Sequence, residues 1–513
     1  MSDRPSRASW TALALLAVVA AAAVIALAAL ATGAGAVSTP WPRYTPPASP
    51  PPDDDIRMTP PYSEVHGGFT VPNLQVFDRY VFCTAAMLDE DRQHDYPHVW
   101  RSADGGHTFA HQRVADIPMG GKIPLVRPDG ADEDDPHLYL AFGSEHAVHL
   151  GHSTDYGDTW HTRPITSSEE SWRIVHPMIA ADHNQVIYAL VLRRCSPQGT
   201  EMCYYVASSG DDGATWSSWT HLFAGSHNGG YEDQRILARD GAVYVMATPP
   251  EGLHGLRFTR STDRGKTWSP VVQINDYWDS AFDFDVDAAG TLQATFTYDY
   301  AAEPNEGDGG AAVPRDTVFA THSTDGGLTW SPEVMVSDTP PCPEDPALVS
   351  ISSALEIDEA TGAVFVAMDD QRNHCGEVSF MSDVFLSYST DGGHTWSPNE
   401  QISNARPDAL IAMYQDMVID DGGVYTAWYE FSGGEYGGYW LDRHAVPALP
   451  PTPTPTATAT STPTPSATPS PSPPATATAT ATATPSPSPT ATATPTAAPP
   501  AWRVFLPGVG KSQ

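Results

Sequence analysis

The residues of this chain that could do chemistry gather in short clusters of carboxylates and aromatic rings. Glu90-Asp91-Arg92-Gln93-His94-Asp95 sets a guanidinium among acids, and Asp369-Asp370-Gln371-Arg372 does the same. Tyr231-Glu232-Asp233, Tyr277-Trp278-Asp279 and Tyr414-Gln415-Asp416 open on a tyrosine and close on a carboxylate, and Trp428-Tyr429-Glu430 joins the same residue types. A positioned carboxyl group can move a proton, and a phenol relieved of its proton can attack an electrophile. Aromatic rings also offer flat apolar faces on which sugars stack. The other reactive types offer less. Asp129-Gly130-Ala131-Asp132-Glu133-Asp134-Asp135 is similar to acidic loops that gather oxygens around calcium, but it lacks EF-hand spacing and reads as a solvated turn. The 19 histidines form no HExxH pattern, and the five cysteines form no CxxC or Cys/His zinc pattern. No metal and no cofactor is expected.

The elements that must position these clusters show themselves as a repeat. The pattern Ser-x-Asp-x-Gly-x-Thr-Trp, with Phe109 for Trp in the first copy, begins at Ser102, Ser153, Ser209, Ser261, Ser323 and Ser389. The start-to-start spacings are 51, 56, 52, 62 and 66 residues. Chemically the octapeptide is a turn: its aspartate accepts backbone N–H groups and its glycine takes a positive φ. It resembles the Asp-box, or BNR repeat, of sialidase-like β-propellers, where the box closes the hairpin between the third and outermost strands of each blade. By that resemblance Asp104, Asp155, Asp211, Asp263, Asp325 and Asp391 are scaffold. Strand-like runs at residues 79–87, 137–142, 186–192, 242–247, 291–298 and 363–368 precede the six boxes. A further unit at 413–430 has no box. The expected fold is all-β, a seven-bladed propeller completed by an N-terminal strand near residues 58–71, with a six-bladed sialidase-type barrel as the alternative.

In such a fold the loops between second and third strands share one face with the links between blades, opposite the boxes. That face receives the clusters above. Cys195 and Cys203 fall in one such loop, and Cys342 and Cys375 in adjacent loops, so both pairs are candidate disulfides, with Cys83 left as a buried thiol in a strand.

The resemblance also implies a chemistry. Sialidases use a tyrosine nucleophile, an exception among retaining glycosidases, because a carboxylate would be repelled by the carboxylate of the sugar. A glutamate activates the tyrosine, an aspartate acts as acid/base, and three arginines hold the substrate. Arg92 and Asp95 look like the loop arginine and the acid/base. Tyr414 resembles the nucleophile, with Glu430 as the glutamate that supports an arginine and Glu232 as the nearest activating carboxylate. Arg257 and Arg372 are the candidates for the remaining arginines, and Tyr231 and Trp278 for ring contacts to a ligand. Thr70, however, stands where the first arginine of the triad belongs, and a hydroxyl cannot replace a charge-assisted bidentate pair.

The ends of the chain and its charge narrow the setting. Arg4 and Arg7 precede an apolar run over residues 10–30, and Ala34-Gly35-Ala36 offers a cleavage site, so residues 1–36 read as a signal peptide or membrane anchor. Residues 37–57 are a Pro-rich linker, 58–447 the propeller, 448–500 a Pro/Thr/Ala/Ser stalk expected to be disordered, and 501–513 a short apolar tail. The protein is expected outside the cell or on its surface, reaching a membrane only through its N-terminal segment. A net charge of −36, from 26 basic and 62 acidic residues, argues against a nucleic-acid partner. Two readings remain: a glycan- or protein-binding propeller with a degenerate sialidase-type site, or an active sialidase-like hydrolase.

Overall fold

Short apolar runs punctuated by glycine turns give this chain strands and almost nothing else. The computed structural model describes residues 55–59, 73–88, 94–129, 135–144, 147–166, 175–196, 198–225, 234–250, 253–275, 279–298, 317–340, 352–374, 382–403, 409–420, 423–432 and 438–445. Their strands form seven four-stranded sheets. The one helical element among them is a 3-10 turn at Arg372–His374. In six sheets the strands follow chain order, as in blade 1, built from Asn73–Phe77, Tyr80–Leu88, Asp95–Ser102 and Ala110–Arg113. Blade 7 draws on both ends of the propeller: Ala409–Asp420, Gly423–Ser432 and Gly438–Ala445, with Ile56–Arg57 paired against Leu441 and Trp440. The fold is therefore the all-β, seven-bladed propeller, not the six-bladed alternative.

The closing strand lies at 56–57, just ahead of the segment expected to supply it. Closure then continues for two residues, as Met58 N donates to the Tyr439 carbonyl and Tyr439 N to Thr59 Oγ1, each at 2.9 Å. This arrangement also explains why the seventh unit has no box. Its third and fourth strands come from distant parts of the chain, so there is no hairpin for a box to close.

Each box sits in the turn from third to fourth strand, as between Val148–Ser153 and His161–Pro164. There Asp155 Oδ1 accepts from Thr159 N at 2.8 Å, Oδ2 accepts from Thr159 Oγ1 at 2.6 Å, and Gly157 N donates to Ser153 Oγ at 2.8 Å. The same bonds recur at Asp104, Asp211, Asp263, Asp325 and Asp391. The box glycines also allow blades to touch. A Cβ on Gly327, at φ +88°, would lie 2.0 Å from the ring of Phe258 in the preceding blade. Of the box aromatics, only Phe109 and Trp160 are buried. Trp216, Trp268, Trp330 and Trp396 are partly exposed, packed against the blade junctions rather than sealed within them.

The core is a ring of junctions, each filled from two neighbouring blades. Trp100, Leu74 and Cys83 of blade 1 pack with Tyr425, Tyr429 and Leu441 of blade 7. Phe82 of blade 1 packs with Phe142 and Trp160 of blade 2. Each fully buried ring of this kind contributes about 1.5–3 kcal/mol relative to exposure. Cys83 is the buried strand thiol foreseen. Cys195 and Cys203 form a disulfide across the loop of blade 3. Cys342 and Cys375 lie outside the described residues, as do residues 1–54 and the stalk and tail beyond 445. No helix among the described residues is long and apolar enough to cross a membrane.

Candidate functional site

The innermost strand of each blade has one edge facing the propeller axis with no strand to pair it, so its N–H groups need other acceptors. Side chains of neighbouring blades supply them. Asp283 and Asp285 of blade 5 accept from Leu355 N and Ile357 N of blade 6, both at 3.0 Å. Asp416 of blade 7 accepts from Leu74 N of blade 1 at 2.6 Å and from the Asn73 amide at 3.2 Å. Asn73 and Gln75 in turn accept from Leu125 N and Arg127 N of blade 2. This ladder surrounds an axial cavity of about 320 Å³ that all seven innermost strands line.

The cavity is acidic. Asp129, Asp283, Asp285, Glu356 and Asp416 line it, with Arg127, Arg235 and Arg239 as cations. Arg235 Nε lies 3.3 Å from Asp283 Oδ1. Arg239 reaches across the axis from blade 4: it grips Asp129 of blade 2 through Nη2 at 3.0 Å and Nε at 3.2 Å, and bonds Glu359 beyond blade 6 and the Val286 carbonyl of blade 5. Burial pushes the Asp285 carboxyl up to about 6, against the pull of two backbone N–H groups and Arg239. Burial, then Asp285, Asp283 and Asp416, push Glu356 well above the usual carboxylate range, with Arg239 opposing.

Five of the expected site residues are described: Tyr414 and Glu430 in blade 7, Asp95 in blade 1, Arg257 in blade 4 and Arg372 in blade 6. Tyr414 lies in the innermost strand of blade 7, at a one-residue bulge. Met413 pairs with Tyr429 and Asp416 with Ala427, leaving Tyr414 and Gln415 against a single partner position. Bulges re-aim side chains and are frequent beside active sites. Similar irregularities occur in the innermost strands of blades 3 and 5, after Val175 and Asp279. Glu430 is buried on the adjoining strand of blade 7, paired with Ala412. Ser352 N donates to Asp369 Oδ1 at 2.7 Å, and the single Ser352 hydroxyl proton is shared between Gln415 Oε1 at 2.8 Å and Asp369 Oδ1 at 3.1 Å. That buried chain ties the bulge to blade 6.

The remaining candidates stand further from the axis. Asp95 begins the third strand of blade 1, where its carbonyl accepts from Met119 N at 2.8 Å. Arg257 begins the third strand of blade 4 and donates to the Gly255 carbonyl at 2.8 Å. Arg372 follows the second strand of blade 6, stacks on Phe385 at 4.2 Å, and holds Asp338 at 2.6 Å, Asp370 at 2.7 Å and Asn399 at 2.8 Å. Arg92, Tyr231, Glu232, Trp278 and Thr70 lie outside the described residues. Asp129 and Asp135, at the ends of the acidic loop, engage Arg239 and His137 respectively.

Comparison with known proteins agrees with this architecture. The BNR repeat-like domain family matches residues 80–309, and the BNR/Asp-box repeat matches residues 387–398. This chain is a BNR/Asp-box repeat protein with a sialidase-like β-propeller. A sialidase of Clostridium perfringens is 26% identical over 189 residues, which cover 34% of this chain and 47% of that enzyme. The BNR propeller thus spans about half the length of the curated relative it matches. Among solved structures, the polysaccharide lyase Uly1 is 12% identical at a TM-score of 0.48, covering 74% of this chain and 90% of that one. The NanB sialidase of Streptococcus pneumoniae is 8% identical at a TM-score of 0.40, covering 76% and 71%.

Of the acids that line the axis of the BNR propeller, Asp283, Asp285 and Glu356 escaped the sequence reading. Their signal was there: Ala281-Phe282-Asp283-Phe284-Asp285-Val286 alternates rings with carboxylates. Such alternation reads as a strand with one face in solvent, whereas here the polar positions meet the axis and the next blade.

Proposed function

We propose that this BNR propeller is an exported or cell-surface glycan-binding protein whose sialidase-type site is degenerate, held out from the envelope on its Pro/Thr-rich stalk. The observation that carries this reading is the charge of the axis. Five carboxylates line the cavity against three arginines; Arg235 and Arg239 are engaged by Asp283, Asp129 and Glu359, and Arg127 lies over the Phe77 ring. A sialoside brings a carboxylate of its own, and gripping it requires guanidinium groups free to make bidentate bonds. Arg372 is similarly committed to Asp338 and Asp370, and Thr70 occupies the sequence position of the first triad arginine. Neutral sugars, which present hydroxyls to carboxylates and apolar faces to rings, suit such a face better.

The bulge at Tyr414 and the neighbouring Glu430 favour a second reading, an exo-α-sialidase-like hydrolase with Tyr414 as nucleophile and Asp95 as acid/base. One assay separates the two. The full chain is incubated with an aryl sialoside and, separately, with an array of neutral and sialylated glycans. The first reading expects no release of the aryl group and retained binding to neutral glycans. Turnover that disappears in Tyr414→Phe, with the fold intact, would replace it with the second.

A further inference from the structure

One carboxylate in the axial cavity lacks the support that its neighbours have. Asp283 has Arg235 and the N–H groups of Phe284 and Leu355. Asp285 has the N–H groups of Val286 and Ile357, at 2.7 and 3.0 Å. Asp416 has Leu74 N and the Asn73 amide. Glu356 sits between Leu355 and Ile357, the two residues those blade 5 aspartates hold, and faces the same cavity. Among the described residues, no hydrogen-bond donor serves its carboxyl group.

We propose that Glu356 holds a proton at neutral pH, and that losing it loosens the junctions of blade 5 with blade 6 and of blade 7 with blade 1. An ionised Glu356 would meet Asp283 and Asp285 from blade 5 and Asp416 from blade 7. Of the three cations lining the cavity, the two from blade 4 are committed, Arg235 to Asp283 and Arg239 to Asp129 and Glu359, and the third, Arg127, lies over the Phe77 ring. Blade 2 adds Arg127 and Asp129 to the lining, while blade 1 adds only the neutral Asn73 and Gln75 and blade 3 no titratable side chain. Like charges in a low-dielectric cavity cannot all ionise without cost, so one carboxyl keeps its proton. The repelled partners are the side chains that carry the cross-blade ladder, which makes the repulsion a strain on ring closure.

The sign follows from which state binds the proton more tightly. Asp285 is raised to about 6 by burial, and Glu356 is raised further by burial and by its acidic neighbours. The folded ring therefore holds protons that the unfolded chain releases above about pH 4. Their stabilising contribution is full below that point and is lost as pH rises through about 6 and beyond. The ring should be tightest in mildly acidic surroundings. This inference uses the same axial carboxylates as the glycan-binding reading but is tested on stability rather than on ligand binding.

The test compares the full chain with Glu356→Gln, which imitates the protonated acid, by thermal unfolding from about pH 5 to about pH 8.5. Histidines titrate alike in both proteins, so the difference between the two curves isolates this site. The wild type is expected to lose roughly 1–3 °C relative to the variant for each pH unit in the upper part of that range. Parallel curves would overturn the proposal. A second measurement stands even if the variant fails to fold. The wild-type infrared spectrum at neutral pH should contain the carbonyl band of a protonated carboxylic acid, shifted by deuteration, and its absence would equally overturn the proposal.

Discussion

Replacing Arg239 by methionine should destabilise the propeller more than any exposed charge substitution, because this one side chain joins four blades across the axis. The guanidinium makes a two-point bond to Asp129, a bond to Glu359 and a bond to the Val286 carbonyl. Side-chain exposures are 22% for Arg239, 29% for Asp129 and 44% for Glu359, so the first pair is largely shielded and the second largely solvated. Breaking a fully buried pair costs about 3–5 kcal/mol, and an exposed pair about 0–1 kcal/mol. The Asp129 arm then contributes about 1–2 kcal/mol, the Glu359 arm about 0.5 kcal/mol, and the orphaned carbonyl about 0.5–1 kcal/mol. Methionine keeps the apolar stem, so the net loss should be about 2–3.5 kcal/mol. Urea unfolding of the full chain gives this number directly. A double-mutant cycle with Asp129→Asn should return a coupling of about 1 kcal/mol or more. A loss below about 0.5 kcal/mol, or no coupling, would show that the strut carries no load and that the neighbouring strands close the ring without it.

The propeller was legible because its turns are chemically demanding. A box needs serine, aspartate, glycine and threonine at fixed offsets to complete its hydrogen bonds, as Ser153, Asp155, Gly157 and Thr159 do. Six such turns marked six blades, and the strand pattern of the unboxed unit marked the seventh. The closing strand was harder to place, since Ile56–Arg57 has only two residues and no periodicity to read. The Cys195–Cys203 bridge was legible from its placement in one loop. The axis was not. Asp283 and Asp285 share one strand, Glu356 and Asp416 lie on two others in different blades, and only the closed ring brings them to one cavity. Arg239 and Asp129 are 110 residues apart, and nothing local to either announces the other. Tyr414 was singled out for its neighbours in sequence, but the bulge that distinguishes it is a matter of register, fixed by how Met413 and Asp416 pair with the next strand.

Two further outcomes can be stated. Deleting residues 448–513 should change the unfolding free energy of the propeller by no more than about 0.5 kcal/mol, because a segment composed almost wholly of Pro, Thr, Ala and Ser offers little apolar surface to bury. A larger loss in a thermal or urea melt would mean that residues 502–506 dock on a blade. The acid limb of stability should depend on His152. Its ring stacks on Tyr139 at 4.8 Å and on His137 at 5.6 Å, and burial pushes its pKa down to about 4. The folded state thus resists a proton that the unfolded chain accepts near pH 6.5. Its contribution is full above that value and lost as pH falls from there to about 4. Phenylalanine keeps a ring in the stack and removes the proton site. His152→Phe should therefore flatten the fall in stability across this window, sparing about 1–2 kcal/mol near its lower end. His98 should add an independent acid loss in blade 1, since burial, then His111 and Arg113, hold it well below the usual histidine range. Urea melts at about pH 7 and about pH 4.5 decide the matter. If wild type and His152→Phe lose the same free energy between them, the stacked ring exchanges its proton as freely in the fold as outside it, and the junction of blades 2 and 3 is open to water.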